Sequence, residues 1–544
     1  MPASARYEAI IEQGRTLSEL QRLYRYGHNY VPVRRDNEAV AANFQDVQGF
    51  ELVAPAFTRP DSISSQFHNG TEGPTDDATM DNFLRSIAAR NSDWMTYSSA
   101  DFHSEEGRSL PYVYLSSSTQ SLVAGTNTSN KLKVWVQGGV HGNEPAGDQS
   151  LLALIGKMDT NQTWTQSILD TMDILLLPRY NVDGVAYFQR TLATNFDPNR
   201  DHIKLARQQT RNIKELFSNF GAHIAIDMHE FTAGARYGGN YVHASDALFA
   251  AAKNLNINEG IRQLSEDVFA ANIGSALEAT GLRWEPYVTG SSNSTPGSQI
   301  RFAEAGSDAK IGRNAMGLTQ TITFLCEMRG IGLADQHFQR RTVTGLVMAE
   351  TIIQTAADNA EQINRVITDG IQDFVDSNED IVVTDSTKYT NRTFQMVDVE
   401  NGTVVDVPIQ FASTTPTAAN LTRRRPEAYI IPRAWADLVA RLETSGLEVT
   451  EMPQGFRGTV EALNITSVAF DDSYYEGVVP VTVTTSAITK EVELPAGSYA
   501  VSTRQRNAAL AFVALEPENI DSYVTFNIVP VEEGDEYPVF RLLG

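Results

Sequence analysis

The chain has 544 residues, of which 20% are charged, and its formal net charge is −24 with a sequence pI of about 4.8. Because an acidic surface is repelled by phosphate groups, neither nucleic acid nor an anionic membrane is a predicted partner. The single cysteine, Cys326, excludes an intrachain disulfide framework, and no run reaches the roughly 20 apolar residues that a membrane span requires.

Three regions follow one another along the chain. Residues 1–78 contain an amphipathic helix candidate at 17–26 and then a polar stretch rich in Gly, Pro and Asp at 58–78, which is typical of a linker. A helix is predicted over 79–88 with Thr79 as its cap, and it opens a central region that closes with a helix over 342–357. From residue 361 onward, short alternating runs rich in Thr and Val predict a β-rich part.

Four apolar runs in the central region predict buried strands, at 133–137, 172–178, 223–229 and 319–326. Polar groups end or follow these runs: His141 with Glu144, the segment 181–184, His229, and Glu327. In open α/β sheets, ligands bind in the crevice beyond the carboxyl ends of the strands. We therefore expect these polar groups to share one site.

Two histidines and a glutamate have the pattern of a zinc site. His141 and Glu144 form a close pair and His229 is a distant third ligand, and a catalytic zinc ion usually takes three protein ligands. A His-x-x-Glu pair alone is weak support, so the prediction depends on the ordered set. Strand alternation puts Asp227 on the same face as His229, where it could orient a ligand. Three other histidines are predicted to be packed or exposed and not ligands: His202, His223 and His243.

The order of motifs resembles that of the carboxypeptidase A family of zinc peptidases. In chain order the motifs are His-x-x-Glu, Asn-x-Asp-Gly, Arg, Asp-x-Asn-Arg, Asp-x-His and a late Glu, and the likeness is strongest to a branch with Asp-Pro-Asn-Arg-Asp (197–201) and Asp-x-His-Glu. The resemblance implies an α/β fold over 79–360, a mixed open sheet with helices on both faces. A smaller β-rich C-terminal domain over 361–544 follows it, and residues 1–78 form an N-terminal helical segment and linker.

The resemblance also implies a reaction and a role for each residue of the site. One zinc ion is bound per chain, and peptide or protein C-termini are the substrate. A bound zinc ion lowers the pKa of its water molecule to about 7, and the late glutamate takes that proton and passes it to the leaving amine. The implied assignments are His141, Glu144 and His229 as zinc ligands, Glu327 as catalytic base, Arg190 for the scissile carbonyl, and Asn199 with Arg200 for the terminal carboxylate.

Some assignments have rivals in the sequence. Arg179 lies near Arg190 and is an alternative for the scissile carbonyl. Animal members of the family have a mobile tyrosine before the late glutamate, whereas residues 288–327 contain none, so Tyr287 is the nearest candidate. Arg313, or else Arg301, is expected to help hold the terminal carboxylate.

Three functions fit these residues. The first is a zinc metallocarboxypeptidase, the second is a zinc amidohydrolase that acts on small N-acyl amino acids, and the third is an inactive peptide-binding homologue. The presence of Glu327 and of all three ligands argues against the third function. The length of the chain and its added C-terminal part favour peptides over small substrates.

Eight Asn-x-Ser/Thr sequences would accept glycans on a eukaryotic secretory route. The first residues show no signal-peptide pattern. From the eight sequences we predict an extracellular, glycosylated protein. The asparagines are Asn69, Asn127, Asn161, Asn293, Asn391, Asn401, Asn420 and Asn464.

Overall fold

The computed structural model describes residues 32–117 and 131–544, so the helix predicted over 17–26 lies outside the described residues. The strands are β1 Met95–His103, β2 Ser109–Leu115, β3 Leu132–Gln137, β4 Met172–Leu177, β5 Ile224–Thr232, β6 Tyr241–His243, β7 Ala247–Ala251, β8 Trp284–Pro286, β9 Val288–Thr289, β10 Arg301–Glu304, β11 Ile322–Ile331, β12 Ile381–Asp398, β13 Val404–Arg423, β14 Ala428–Ile431, β15 Thr450–Met452, β16 Phe456–Phe470, β17 Val481–Leu494, β18 Ser498–Ser502 and β19 Phe540–Leu542.

The α-helices are α1 Glu38–Ala41, α2 Pro55–Thr58, α3 Asp77–Arg90, α4 Pro145–Thr160, α5 Gln162–Leu169, α6 Val182–Tyr187, α7 Gln208–Phe220, α8 Glu259–Leu264, α9 Ala271–Ala279, α10 Gly312–Gly317, α11 Phe338–Asp358, α12 Ala360–Asp376, α13 Ala436–Thr444 and α14 Ala508–Leu515. Short 3₁₀ turns include Pro198–Arg200, and a π-helical turn, Ser265–Ala270, joins α8 to α9.

The central sheet has eight strands in the order β1-β2-β4-β3-β5-β11-β7-β8. Its middle strands β4, β3, β5 and β11 run parallel, and antiparallel strands β2 and β7 flank them. Side-chain alternation along β3 defines the two faces, because Val134 and Val136 pack into one core with α4 and α11, while Trp135 packs with Phe217 of α7 in another. The predicted fold class, a mixed sheet with helices on both faces, is confirmed.

The polar stretch at 58–78 packs against the central region. Phe67 is 1% exposed, and its ring centroid lies 5.0 Å from that of Phe338 on α11. The helix that follows begins at Asp77, two residues earlier than predicted, and its cap is Asp76, whose Oδ1 accepts a hydrogen bond from the Thr79 N–H at 2.7 Å. The prediction of Thr79 as the cap is therefore wrong, because a preceding aspartate already fills that role.

Two of the predicted strands continue further than their apolar runs. Strand β5 extends to Thr232 and β11 extends to Ile331, so His229 lies within its strand and not at its end, and Glu327 lies within its strand and not after it. The two strands pair in parallel, with Glu327 opposite His229. Polar side chains remain in these strands because they are buried together in one site.

The chain after residue 360 is β-rich, as predicted, but it begins with helix α12, which buries one face through Ile363, Ile367 and Phe374. The hairpin β12–β13 joins strands of the central region in a second sheet, β6-β12-β13-β10-β9, and the third sheet is β15-β18-β14-β19-β16-β17. The second sheet thus takes strands from both sides of residue 360. The domain boundaries at 78 and 360 stay a prediction. No helix within the described ranges is long and apolar enough to cross a membrane.

Candidate active site

Three potential metal ligands meet where β3 and β5 approach the start of α4. His141 follows β3, Glu144 directly precedes α4, and His229 lies on β5. His141 Nδ1 lies 2.8 Å from Glu144 Oε1, and His229 Nδ1 lies 3.0 Å from Glu144 Oε2 and 3.1 Å from His141 Nδ1. All three side chains are buried. The ligands predicted from the sequence therefore form one cluster.

The donor set and its spacing fit a zinc ion. One ligand atom from each residue lies within 4.8 Å of the others, and donors bound at about 2.0–2.1 Å around a tetrahedral ion are roughly 3.3 Å apart. The two imidazole Nδ1 atoms, 3.1 Å apart, cannot both carry a hydrogen, and a cation bound by their lone pairs would stabilise this arrangement. Burial acts to raise the pKa of Glu144, but the two histidines lower it by more. The pKa of Glu144 therefore lies below its usual value. The carboxylate is therefore ionised and ready to bind a cation.

An aspartate holds each ligand histidine through its second ring nitrogen. His141 Nε2 lies 3.1 Å from Asp197 Oδ1, and His229 Nε2 lies 3.1 Å from Asp227 Oδ1. A carboxylate in this position orients the ring and leaves Nδ1 for the cluster. Strand alternation predicts this place for Asp227. No sequence signal identifies the contact of Asp197, because 56 positions separate it from His141.

Of the two candidate arginines, Arg190 borders the cluster and Arg179 does not. Nε and Nη2 of Arg190 lie 3.0 and 2.9 Å from Asp197 Oδ2, and Nη1 lies 3.3 Å from Glu144 Oε1. Arg179 is fully buried and donates through Nε to Asp148 at 2.7 Å. Arg179 is thus part of a buried ion pair, and Arg190 is the arginine beside the ligands.

The 3₁₀ turn after β4 and α6 brings Asn199 and Arg200 next to the ligands. Asp197 caps this turn, because its Oδ1 accepts a hydrogen bond from the Asn199 N–H at 2.8 Å. Asn199 Oδ1 in turn accepts a hydrogen bond from the Gly312 N–H at 2.7 Å, which joins the turn to the start of α10. Arg200 is half-buried and donates to the Asn199 carbonyl at 2.8 Å.

Glu327 is buried between the ligands and the cavity described below. Glu327 is 7% exposed. Burial raises the pKa of Glu327 to about 8, the negative charge of Glu144 raises it as well, and His229 and Arg190 lower it. A carboxyl group with a pKa near neutral can both accept and release a proton during a reaction.

Arg313 and Tyr287 complete the polar wall. Arg313, the second residue of α10, is 1% exposed, and its Nη2 donates to the Gly306 carbonyl at 2.7 Å. Its Nε and Nη1 reach no acceptor within residues 32–117 and 131–544. Tyr287 is half-buried beside it; burial raises the pKa of its hydroxyl and the charge of Glu327 adds to this effect. Arg301, the other candidate, is exposed at the start of β10.

A cavity of about 390 Å³ connects these groups. A cleft of this size accommodates a small ligand or the end of a peptide. Seven of the eight residues predicted for the site line the cavity: His141, Glu144, Arg190, Asn199, Arg200, Arg313 and Glu327. The eighth, His229, contacts Glu144, which is one of these lining residues.

Sequence similarity assigns this constellation to a family. The sequence pattern of the zinc carboxypeptidase family matches residues 80–240. Carboxypeptidase 2 of Trichophyton equinum is 57% identical over 519 residues, which cover 95% of this chain and 96% of that protein. This chain belongs to the zinc carboxypeptidase family. Carboxypeptidase 2 of Trichophyton rubrum is 56% identical to this chain over 519 residues, which again cover 95% of this chain and 96% of that protein. A solved metallo-carboxypeptidase from Burkholderia cenocepacia is 14% identical, with 52% of this chain and 70% of that chain covered and a TM-score of 0.39.

Because the chain belongs to the zinc carboxypeptidase family, it is a zinc-dependent hydrolase of peptide bonds. This is the first of the three functions that fit the sequence. Proteins of this family act on peptide C-termini. The matched segment at 80–240 includes the three ligands but ends before Arg313 and Glu327. Similarity over nearly the full chain extends the relation to the part that holds these two residues.

Proposed function

We propose that the carboxypeptidase removes residues from peptide C-termini with one zinc ion per chain, held by His141, Glu144 and His229. The observation that carries the proposal is that this cluster, Glu327 and three arginines border one cavity. When bound, a zinc ion activates a water molecule and polarises the scissile carbonyl.

Glu327 is proposed as the proton carrier. Its carboxylate takes a proton from water and then gives the proton to the nitrogen of the leaving residue. Its burial supports this role, because burial raises the pKa of its carboxyl group toward neutrality and a general base works best when its pKa lies near the operating pH. The same burial keeps bulk water away from the transferred proton.

Arg190 is proposed to donate a hydrogen bond to the carbonyl oxygen of the scissile bond as negative charge develops there. The contacts of its guanidinium with Asp197 and Glu144 support this role, because they fix its position beside the cluster. A donor that is already oriented needs no rearrangement during the reaction, and losing one such donor typically slows turnover by roughly 10²–10³-fold.

Asn199 and Arg200 are proposed to hold the terminal carboxylate of the substrate, with Arg313 as a further substrate-binding residue. Arg200 donates to one backbone carbonyl and forms no ion pair with the described residues, so its guanidinium is available to an anion. A planar guanidinium matches a carboxylate through two parallel hydrogen bonds.

Changing Arg200 to Ala is expected to lower kcat/KM for peptides with a free C-terminus by roughly 10²-fold, the loss of two charge-assisted hydrogen bonds. The slow cleavage of the same peptides with an amidated C-terminus should change little. Mass spectrometry of matched free and amidated peptides, with zinc-loaded and chelator-treated protein, measures both rates.

The matched control is Arg207→Ala, in the same loop, because Arg207 is already bound to Glu105 at 2.7 Å. This control should retain the preference for a free C-terminus. An equal loss on free and amidated peptides would remove the role given to Arg200. No stepwise loss of terminal residues from any peptide, with zinc present, would contradict the proposed function itself.

We further propose that the carboxypeptidase is secreted and glycosylated. Among the eight acceptor sequences, Asn127 lies outside the described residues and Asn464 is half-buried. The other six asparagines are exposed, as glycan attachment requires: Asn69, Asn161, Asn293, Asn391, Asn401 and Asn420. The protein isolated from its native source should lose mass on enzymatic removal of N-glycans; an unchanged mass and a purely intracellular pool would contradict this proposal.

A further inference from the structure

Arg313 is a buried cation with free donors. It is 1% exposed, its Nη2 donates to a backbone carbonyl, and its Nε and Nη1 have no acceptor among the described residues. Several other buried arginines among the described residues are paired with carboxylates, for example Arg329 with Asp36 and Arg341 with Glu230, whereas buried Arg425 donates to backbone carbonyls. Because an unpaired buried charge is costly, an arginine in this state inside a cavity indicates an anionic ligand.

Three carboxylates act electrostatically on Arg313, namely Asp308, Asp227 and Glu327, and the first two are engaged elsewhere. Asp308 lies 2.7 Å from Lys310 Nζ, and Asp227 accepts from Gln137 and contacts His229. Neither carboxylate forms an ion pair with Arg313 within the described ranges. Among the described residues, therefore, no carboxylate is in ion-pair contact with this guanidinium.

The surroundings of Arg313 suit the side chain of a residue that is being released. Arg313 follows Gly312, which donates to Asn199, so its backbone lies next to the groups proposed for the terminal carboxylate, and Arg313 lines the same cavity. Leu325 lies two positions before Glu327 on β11, and alternation puts both on the same face. Leu325 and Leu248 both line the cavity. Their apolar surfaces suit the methylene groups of a side chain, with a cation close by.

We propose that Arg313 makes the carboxypeptidase selective for an acidic C-terminal residue, by binding the side-chain carboxylate of a terminal Glu or Asp. The inference rests on the proposed function, in which Asn199 and Arg200 hold the terminal carboxylate of the same residue. A dianionic terminal residue matches two cationic groups, Arg200 and Arg313, whereas a residue with an uncharged side chain leaves one of them unpaired.

The first test uses the unmodified protein, loaded with zinc, and peptides that differ only in their last residue. We expect kcat/KM for a terminal Glu to exceed that for the isosteric Gln by roughly 10²-fold, the value of two hydrogen bonds to a charged group. A terminal Leu or Lys should also be released more slowly than Glu. Equal or faster release of Gln, Leu or Lys would overturn the inference while leaving the proposed function intact, whereas no release from any peptide would overturn both.

The second test removes the charge with Arg313→Met, which keeps a long side chain. The Gly306 carbonyl keeps a donor in this variant, because Asn314 Nδ2 also donates to it at 2.8 Å. The ratio of kcat/KM for a terminal Glu to that for a terminal Gln should fall from roughly 10²-fold to about 1. A uniform loss on every substrate would mean that Arg313 holds the terminal carboxylate, and it would overturn the inference.

Two further measurements separate recognition from folding. Zinc content and thermal unfolding of Arg313→Met establish whether the variant is folded. Arg313→Lys, which retains a charge but not the planar fork, should keep part of the preference for Glu. If neither variant folds, the comparison of Glu and Gln peptides with the unmodified protein still decides the matter.

Discussion

Replacing Glu327 by Gln is expected to lower kcat by roughly 10²–10⁴-fold, the usual contribution of a positioned general acid or base, while zinc binding is retained. Gln has nearly the same shape as Glu but cannot take a proton from water. Glu327 is not one of the three residues of the metal cluster, so the variant should bind zinc as the unmodified protein does. Steady-state hydrolysis of a C-terminal peptide bond and elemental analysis of the protein give the two values.

Glu304→Gln is a matched control for this change. Glu304 is also 7% exposed, but it accepts hydrogen bonds from the Thr414 N–H and from Ser413, outside the cavity. This control should turn over peptides at close to the original rate. Near-normal turnover by Glu327→Gln would rule out Glu327 as the proton carrier.

The same variant has a pH-dependent effect on the stability of the metal-free protein. Folding raises the pKa of Glu327 from 4.5 to about 8, mainly through burial. The stability associated with its protonated form is complete below about pH 4.5 and is lost as the pH rises through about 8. Gln carries no such charge. The midpoint temperature of unfolding of Glu327→Gln, measured relative to that of the unmodified protein, should therefore increase as the pH is raised from 5 to 8. A constant difference in thermal unfolding across this range would contradict the raised pKa.

Replacing His229 by Ala is expected to abolish both zinc binding and turnover. The change leaves His141 and Glu144, only two of the usual three protein ligands, and it leaves Asp227 without its contact at 3.1 Å. Zinc content after dialysis, with hydrolysis of a peptide, measures the two losses. Retention of one zinc ion per chain by His229→Ala would contradict the assigned ligand set.

Two variants set the scale for this result. His223→Ala changes the same residue type just before the same strand, far from the cluster, where His223 Nδ1 accepts from the Lys133 N–H at 3.1 Å; it should keep its zinc. Asp197→Asn weakens the hold on His141 without removing a ligand, and such changes typically reduce metal affinity 10–100-fold. Competition with a chelator should therefore rank His223→Ala, Asp197→Asn and His229→Ala in order of falling affinity.

The central sheet and the metal cluster could be predicted from the sequence because their signals are local. Apolar runs of strand length read as buried strands whatever their neighbours, and the carboxyl ends of parallel strands meet at one edge. His141 and Glu144, on one turn, and His229, on a neighbouring strand, are therefore brought together by the fold class alone. The ordered motifs then restricted the choice of Glu327 among the many glutamates.

The choice between Arg190 and Arg179, by contrast, depends on packing. Both arginines follow β4 and both have long side chains, and in the sequence only the distance of Arg190 after Asp183 favours it over Arg179. Arg179 turns into the core, where Asp148 of α4 neutralises it, and Arg190 meets Asp197 beside the ligands. Which carboxylate lies within reach is a property of helices and loops that are distant in sequence.

The same reason explains the contacts of Asp197 and the isolation of Arg313. The Asp197 N–H donates a hydrogen bond at 2.8 Å to Oε2 of Glu476. Glu476 lies in a loop 279 positions later, in the C-terminal part. Whether a buried side chain has a partner depends on every segment packed around it, and a pattern along the chain records only neighbours at fixed spacing. Local periodicity therefore predicts the strands and the ligand triad, while tertiary packing alone decides which charges are neutralised and which are left for a substrate.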